Sequence, residues 1–361
     1  VGLARLKISG FRVFTDCVFE PDPDGITVLV GPNGTGKTSL LEAVGYLGLG
    51  RSLRGSPREA MIKNGEDTAI LRAELEVADR QLLVEAELRR EGRSRMQVNR
   101  QAVRSKRDLA EAIPVTTFCP DDLAVVQGSP AGRRELLDDA LVQLDPTAGK
   151  LIEEVDKIVR QRNALLKGSF GRSTPDVIST LDVWDDRFSD AGGRLMASRQ
   201  RLLEDLALAI DAAYCSLSGD EKGGIAAATY LPSANGDLRA ALAQARPDDL
   251  RRGVSTVGPH RDDVVLLLEG RDARTQASQG EQRTFALALR LAVHLAAQDR
   301  LGSPPLLLLD DVFSELDPDR SRRLITELPA GQALISTASP LPPGVEPALV
   351  VDVWDLVGVD G

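Results

Sequence analysis

Hydrophobic and polar positions alternate in short runs at the start of the chain and again from residue 68 to 103. Leu3, Ala4, Arg5, Leu6, Lys7 and Ile8 read as an edge strand, and a turn over 10–14 leads into a second strand through Cys17, Val18 and Phe19. The run Ile26–Val30 is apolar without alternation, the form of a strand covered on both faces. Alternation returns over 69–77, 82–88 and 96–99 and predicts an antiparallel meander. Residues 114–126 read as a strand and a loop. From Pro130 the period becomes helical: Leu136, Leu137, Ala140, Leu141 and Leu144 share a face, and beyond Pro146 the spacing resumes through Leu151, Ile152, Val155, Ile158 and Leu165. After a break over 168–175 it continues through Leu181, Trp184, Phe188, Leu195, Leu202, Leu206 and Ile210. Two antiparallel helices forming a short coiled-coil-like lobe account for this pattern. The return to the first unit falls near 229–257. The expected division is therefore residues 1–130 and 226–361 as two parts of one α/β unit, with 131–225 as an inserted helical lobe.

Composition narrows the partners. The chain has 361 residues, 42% apolar and 27% charged, enough for a large core with more than one substructure. No apolar run approaches the ~20 residues of a membrane helix, and the first residues lead into a strand pattern instead of a signal peptide. A cytoplasmic protein with no membrane partner is expected. Cys17, Cys119 and Cys215 lack the paired spacing of a zinc site or a disulfide framework. A net charge of −10 argues against a protein that coats nucleic acid indiscriminately and confines any DNA site to a local basic surface. The far end of the meander is one such surface, with Arg89, Arg93 and Arg95 close to Arg90, Arg100 and Arg104. It is either a solvated hairpin tip or a patch that contacts phosphates.

Gly31-Pro32-Asn33-Gly34-Thr35-Gly36-Lys37-Thr38 lies between the apolar strand and a helix-like stretch beginning at Ser39, the setting of a phosphate-binding loop. Its glycines let backbone N–H groups and the helix N-terminus converge on a polyphosphate such as that of ATP. Lys37 is expected to reach the β/γ-phosphates, and Thr38 to offer its hydroxyl to Mg²⁺. The apolar run Leu306-Leu307-Leu308-Leu309 ends in Asp310-Asp311, the form of a Walker B strand. Asp310 would hold Mg²⁺, and Asp311 would orient or deprotonate an attacking water. The segment 50–56, with Arg51 and Arg54, is polar and Gly-rich and is expected as an exposed loop near the phosphates.

Ser278-Gln279-Gly280-Glu281-Gln282 before a helix, and Ser314-Glu315-Leu316-Asp317 after the Walker B strand, resemble the signature motif and D-loop of ABC-type ATPases. In that family a Ser and Gly opening a helix form a second anion site, which closes on the γ-phosphate held by the other subunit. Ser278, Gly280, Gln282 and Asp317 are thereby implied as nucleotide-binding residues, with ATP joining two heads. Phe11-Arg12, Gly50-Arg51-Ser52-Leu53-Arg54, Gln161-Arg162-Asn163, Trp184-Asp185 and Gly258-Pro259-His260-Arg261 further resemble motifs of the RecF family of SMC-like DNA-repair ATPases, over essentially the whole chain.

The resemblance implies an α/β P-loop ATPase head of the ABC/SMC type with an inserted helical lobe. It implies ATP and Mg²⁺ as cofactors, an ATP-dependent homodimer, weak DNA-dependent hydrolysis, and binding to double-stranded and gapped DNA, with RecR, RecO and RecA as partners. It also implies that Arg12 touches the nucleotide phosphates and that Arg51 and Arg54 lie in a loop contacting DNA. Asp311 stands where transporter ATPases place Glu, and Ser336-Thr337 where they place a switch His. The nucleotide-binding subunit of an ABC transporter is the alternative from another class, and another SMC-like head is a third reading. The long interval from Thr38 to Ser278 and the missing switch His argue against the transporter, and the modest length of the lobe helices against a long-armed head.

Overall fold

The structure is a computed structural model that describes residues 2–77, 80–220, 223–234, 236–328, 330–338 and 340–357. Among these residues the chain runs through β1 (Gly2–Phe11), β2 (Phe14–Phe19), β3 (Ile26–Val30), α1 (Lys37–Leu49) and the single turn α2 (Arg58–Met61). The meander follows as β4 (Thr68–Val77), β5 (Arg80–Arg89), β6 (Arg95–Val98) and β7 (Gln101–Ala102), then α3 (Lys106–Ala112), β8 (Val115–Phe118) and α4 (Leu123–Gln127). Three longer helices come next: α5 (Pro130–Leu144), α6 (Ala148–Gly168) and α7 (Pro175–Ser218). The remainder is β9 (Ala226–Leu231), α8 (Leu238–Arg252), β10 (Asp263–Leu268), β11 (Arg271–Asp272), α9 (Ala273–Gln276), α10 (Gln279–Leu301), β12 (Leu306–Asp310), α11 (Pro318–Glu327), β13 (Ala333–Ser336) and β14 (Leu349–Asp352).

A parallel sheet in the order β14-β3-β13-β12-β8 is the centre of the molecule. Its residues feed two cores alternately. Leu29, Leu306, Leu308 and Leu334 face α1 and an antiparallel sheet ordered β2-β1-β4-β5-β6-β7, whereas Val28, Leu307, Leu309 and Ile335 join the core containing α5, α7 and α10. Burial on both faces is why these strands read as unbroken apolar runs. A small antiparallel sheet, β11-β10-β9, packs on α7 and α9. The α/β fold with a P-loop head and long helices is thus the one expected.

The structure departs from the sequence reading in three places. β1 is not an edge strand; it pairs with both β2 and β4, and its alternation reports one core face and one solvated face. Residues 123–127, read as loop, form α4, whose Val125 and Val126 are buried. Helix α8 has no counterpart in the sequence reading. Asp237 caps its start and Gly253, at φ 68°, ends it, and it packs against α6 and α7.

Helix α7 spans 44 residues from a Pro175 start capped by Thr174 to Gly219 in the left-handed region. It packs along α6, α8, β9, α10 and α11. A polar cluster fastens these elements. Arg162 of α6 has no solvent exposure and donates to Asp185 of α7 (2.7 Å), to Asp249 of α8 (2.6 Å) and to Ser255 (2.9 Å). Asn163 accepts from Ser255 N and Oγ, Arg246 pairs with Asp182 and Asp185, and Arg199 makes a fork with Asp138 while donating to Pro259 O. No helix of the described residues is long and apolar enough to cross a membrane.

Candidate functional site: a phosphate loop and paired carboxylates

The site is built at the carboxyl edge of the parallel sheet, where strand ends and loops leave backbone groups free for a ligand. After β3 the chain turns through Gly31, Gly34 and Gly36, with φ of 138°, 86° and 104°. A Cβ at Gly36 would lie 2.6 Å from Val13 Cγ2, so the turn between β1 and β2 can approach the loop only over glycine. Pro32, Asn33 and Gly34 are exposed, while Thr35, Gly36 and Lys37 are buried and Ser39 is partly covered. Lys37 Nζ donates to the carbonyls of Gly31 (2.6 Å) and Pro32 (3.0 Å), which holds its charge inside the loop.

Two strands away, β12 delivers the carboxylates. Thr38 Oγ1 donates to Asp310 Oδ1 at 2.7 Å, joining positions 272 residues apart. Ser336, at the end of the intervening β13, donates to the same oxygen at 2.7 Å and accepts from Asp311 N at 3.1 Å. Asp311 leaves the strand at φ 49°, a conformation uncommon outside glycine and asparagine. Its Oδ1 is shielded from solvent without a hydrogen-bond partner among the described residues. A hydroxyl and a buried carboxylate at this spacing are hard oxygen donors, so the pair fits Mg²⁺, which is ordinarily held by one or two protein oxygens with phosphate and water. No cluster of three or more His, Cys, Asp or Glu suited to an all-protein metal cage occurs among the described residues.

The arginines expected near this site divide. Arg54 places Nη2 3.7 Å from Asp310 Oδ2 while its side chain stays half exposed, so it lies beside the carboxylate at the end of β12. Arg51 is tied to Glu135 and Asp139 of α5. Arg12, at φ 52°, makes a fork with the buried Glu42 of α1 (2.7 and 2.9 Å) and also donates to Ala60 O and Ser56 Oγ. Ser52 donates to the same Glu42. Arg12 therefore anchors the 50–56 loop to the helix that follows the phosphate loop.

Ser278 is an exposed N-cap of α10 in a reciprocal capping box with Glu281, its backbone N–H donating to Glu281 Oε2 at 2.7 Å. Hydrogen bonding with the Ser278 side chain, and then with this backbone N–H, holds the Glu281 carboxyl below its ordinary range. A Cβ on Gly280 would lie 2.9 Å from Arg320 Nη1, and Arg320 pairs at 3.0 Å with Asp317, the N-cap of α11. The Arg320 backbone N–H lowers the pKa of Asp317 in turn. Ser278, Gly280 and Asp317 thus form one surface patch. Gln282 is turned inward, donating to Ala273 O and Arg274 O and accepting from Gln127.

At the end of the meander, Arg93 and Arg95 are exposed and Arg89 pairs with Glu87. Arg58 and Lys63 join them from outside the meander: Arg58 Nη1 donates to Gly92 O at 3.0 Å, and Arg90 Nη2 to Lys63 O at 3.3 Å. The sequence singles out neither these two nor Ser336. Ser336 is visible there only as the residue in place of a switch His, and nothing local links Arg58 or Lys63 to the tip. Arg133 and Arg134 are committed internally, to Asp263 and to Asp262 O.

Comparison with known proteins agrees with this arrangement. The family model described as the RecF/RecN/SMC N-terminal domain matches residues 2–338. The chain is 38% identical to the DNA replication and repair protein RecF of Acidothermus cellulolyticus, covering 93% of both chains. It is also 38% identical to RecF of Kineococcus radiotolerans, over 99% of this chain and 97% of that one. A solved structure described as the recombination mediator protein RecF-ATP in the RecFOR pathway superposes with a TM-score of 0.88 at 28% identity, covering 97% of this chain and 94% of that one. An Smc head bound to the C-winged helix domain of ScpA shares the fold with a TM-score of 0.52 at 16% identity, over 94% of this chain and 90% of that one. On matched length, identity and superposed fold together, the chain belongs to the RecF family of SMC-like proteins.

Proposed function

We propose that this chain is an ATP-dependent DNA-binding protein of recombinational repair and replication-fork maintenance, whose ATP-bound form is a homodimer on duplex DNA beside single-strand gaps. The observation that carries the reading is the Thr38–Asp310 contact at 2.7 Å beside a glycine-rich loop that buries Lys37. In this reading the backbone of 31–38 and Ser39 cradle the phosphates of ATP, Lys37 turns to the β/γ-phosphates, and Thr38 and Asp310 hold Mg²⁺. The ion would supply charge neutralisation between the β- and γ-phosphates. Asp311, with an unpartnered oxygen, accepts the proton of the attacking water, and Ser336 fixes the Asp310 carboxylate and the backbone of Asp311. Ser278, Gly280 and Asp317 meet the nucleotide of a second copy, while Arg12 and Gln282 support loops. Head segments 1–130 and 226–361 with lobe 131–225 remain the proposed division.

Named relatives in DNA replication and repair, and a related structure described within a RecFOR pathway, support assigning RecO and RecR as partners and RecA loading as the outcome. DNA contact is assigned to the tip formed by Arg58, Lys63, Arg89, Arg90, Arg93 and Arg95, and hydrolysis is taken to be weak and DNA-dependent. The test replaces Arg93 and Arg95 with Glu and measures duplex affinity against salt. The slope of log K against log salt should flatten by about one unit for each phosphate no longer neutralised, whatever the sequence. Unchanged affinity and slope would leave the tip as a solvated turn.

A further inference from the structure

We infer that Trp354 is the contact for the nucleotide base, giving the site its preference for a nucleoside triphosphate over a bare polyphosphate; this rests on the proposed nucleotide site. Strand order fixes the direction of the ligand. Asp310, which belongs to the metal and γ-phosphate end, ends β12, separated from β3 by β13. A nucleotide lying across the strand ends with that end toward β12 directs its base to the opposite side of β3, where β14 is the neighbour.

The register puts Trp354 at that position. β14 runs parallel to β3 with Asp352 opposite Val30, so the residues after Asp352 stand level with Gly31, the first residue of the loop. Asp352 Oδ1 lies 3.1 Å from where a Cβ on Gly31 would be, and the same oxygen accepts from Trp354 N at 3.0 Å. Val353, fully buried, pins the short turn into the core, so the backbone carrying the indole is fixed. The indole itself remains 59% exposed. Val13, also exposed, lies against Gly36 at the other end of the loop. The carboxylates of Asp352 and Asp355 disfavour a phosphate on this side and leave it to the uncharged end of the ligand.

The test compares binding of MgATP and of magnesium tripolyphosphate to the full chain, its Trp354→Ala and its Trp354→Phe variants. Stacking of a base on an aromatic ring predicts a loss of about tenfold or more in ATP affinity for Trp354→Ala, with tripolyphosphate affinity unchanged and most of the ATP affinity retained in Trp354→Phe. In a Trp184→Phe background, which removes the other tryptophan, MgATP should quench the emission and tripolyphosphate should not. Unchanged ATP affinity in Trp354→Ala overturns the inference, as does an equal loss for both ligands, because the side chain would then only prop the loop. A wild-type chain that binds neither ligand overturns the nucleotide site itself.

Discussion

Asp310 gathers Thr38, Ser336 and Arg54 around its two oxygens, and the identity of each neighbour sets what the carboxylate can do. Thr38 and Ser336 orient one oxygen; Arg54 stands at longer range from the other, free enough to turn toward a phosphate. Arg54→Ala is therefore expected to lower ATP turnover by about tenfold, equivalent to roughly 1.4 kcal/mol, and to leave the salt slope of duplex binding in place. The reverse pattern, intact turnover with a flatter slope, would return Arg54 to the DNA surface. Far from the site, His294 offers a test in pH. It is buried beside Thr116 Oγ1 at 2.9 Å, and desolvation lowers its pKa from 6.5 to about 4. The unfolded chain binds the extra proton between those values, so this contribution to stability is fully present above pH 6.5 and is lost as the pH falls toward 4. The loss is on the order of 3 kcal/mol. His260 is lowered in the same direction by burial, so His294→Gln should flatten, without abolishing, the fall in unfolding free energy across this window. An unchanged slope in denaturant titrations would show that the ring is solvated.

The long helices are held by charges as much as by apolar stripes. Arg162 neutralises Asp185 and Asp249 in a region without solvent, and truncating it leaves Asp249 buried without a countercharge, whereas Asp185 keeps Arg246. Arg162→Ala should cost about 3–5 kcal/mol of unfolding free energy, and adding Asp249→Ala should cost less than the two single substitutions together. Additive costs would mean that the two residues do not act as a pair. The same cluster marks where reading the sequence stops. Strands β3 and β12, the meander and the helical periodicity of 130–218 are legible because periodicity is a local property, although that stretch folds as three helices, α5, α6 and α7, and not the two expected. The phosphate loop is legible because its residues are contiguous. Helix α8 escapes because Pro247 and a nearly continuous polar face hide its stripe, although Asp237 and Gly253 are ordinary start and stop signals. The roles of Arg162, Asp185 and Ser255 escape for another reason: each partner lies tens of residues away, on a different element. The Arg12–Glu42 fork is hidden in the same way, since both residues are plain in the sequence and their pairing is not.

At the scale of the whole molecule, the phosphate loop and the Ser278–Gly280–Asp317 patch belong to one chain but, in the proposed dimer, to opposite composite sites. Three substitutions should therefore fail differently. Lys37→Ala removes the charge for the β/γ-phosphates, so ATP affinity falls and the chain sediments as a monomer. Ser278→Arg keeps its own loop intact and still binds ATP, while the added cation blocks closure; removing the N-cap costs only about 1 kcal/mol, which a melting curve separates from unfolding. Asp311→Asn preserves shape and removes the base, so the ATP-bound dimer accumulates. Mixing the Lys37 and Ser278 variants is the sharper measurement. In the mixed dimer one composite site carries both lesions and the other carries none, so partial hydrolysis should return at equimolar mixing and at neither extreme. If the Ser278 variant dimerises with ATP as the unaltered chain does, or the Asp311 variant stays monomeric, the two half-sites do not meet across a dimer. Hydrolysis must then be completed within a single chain.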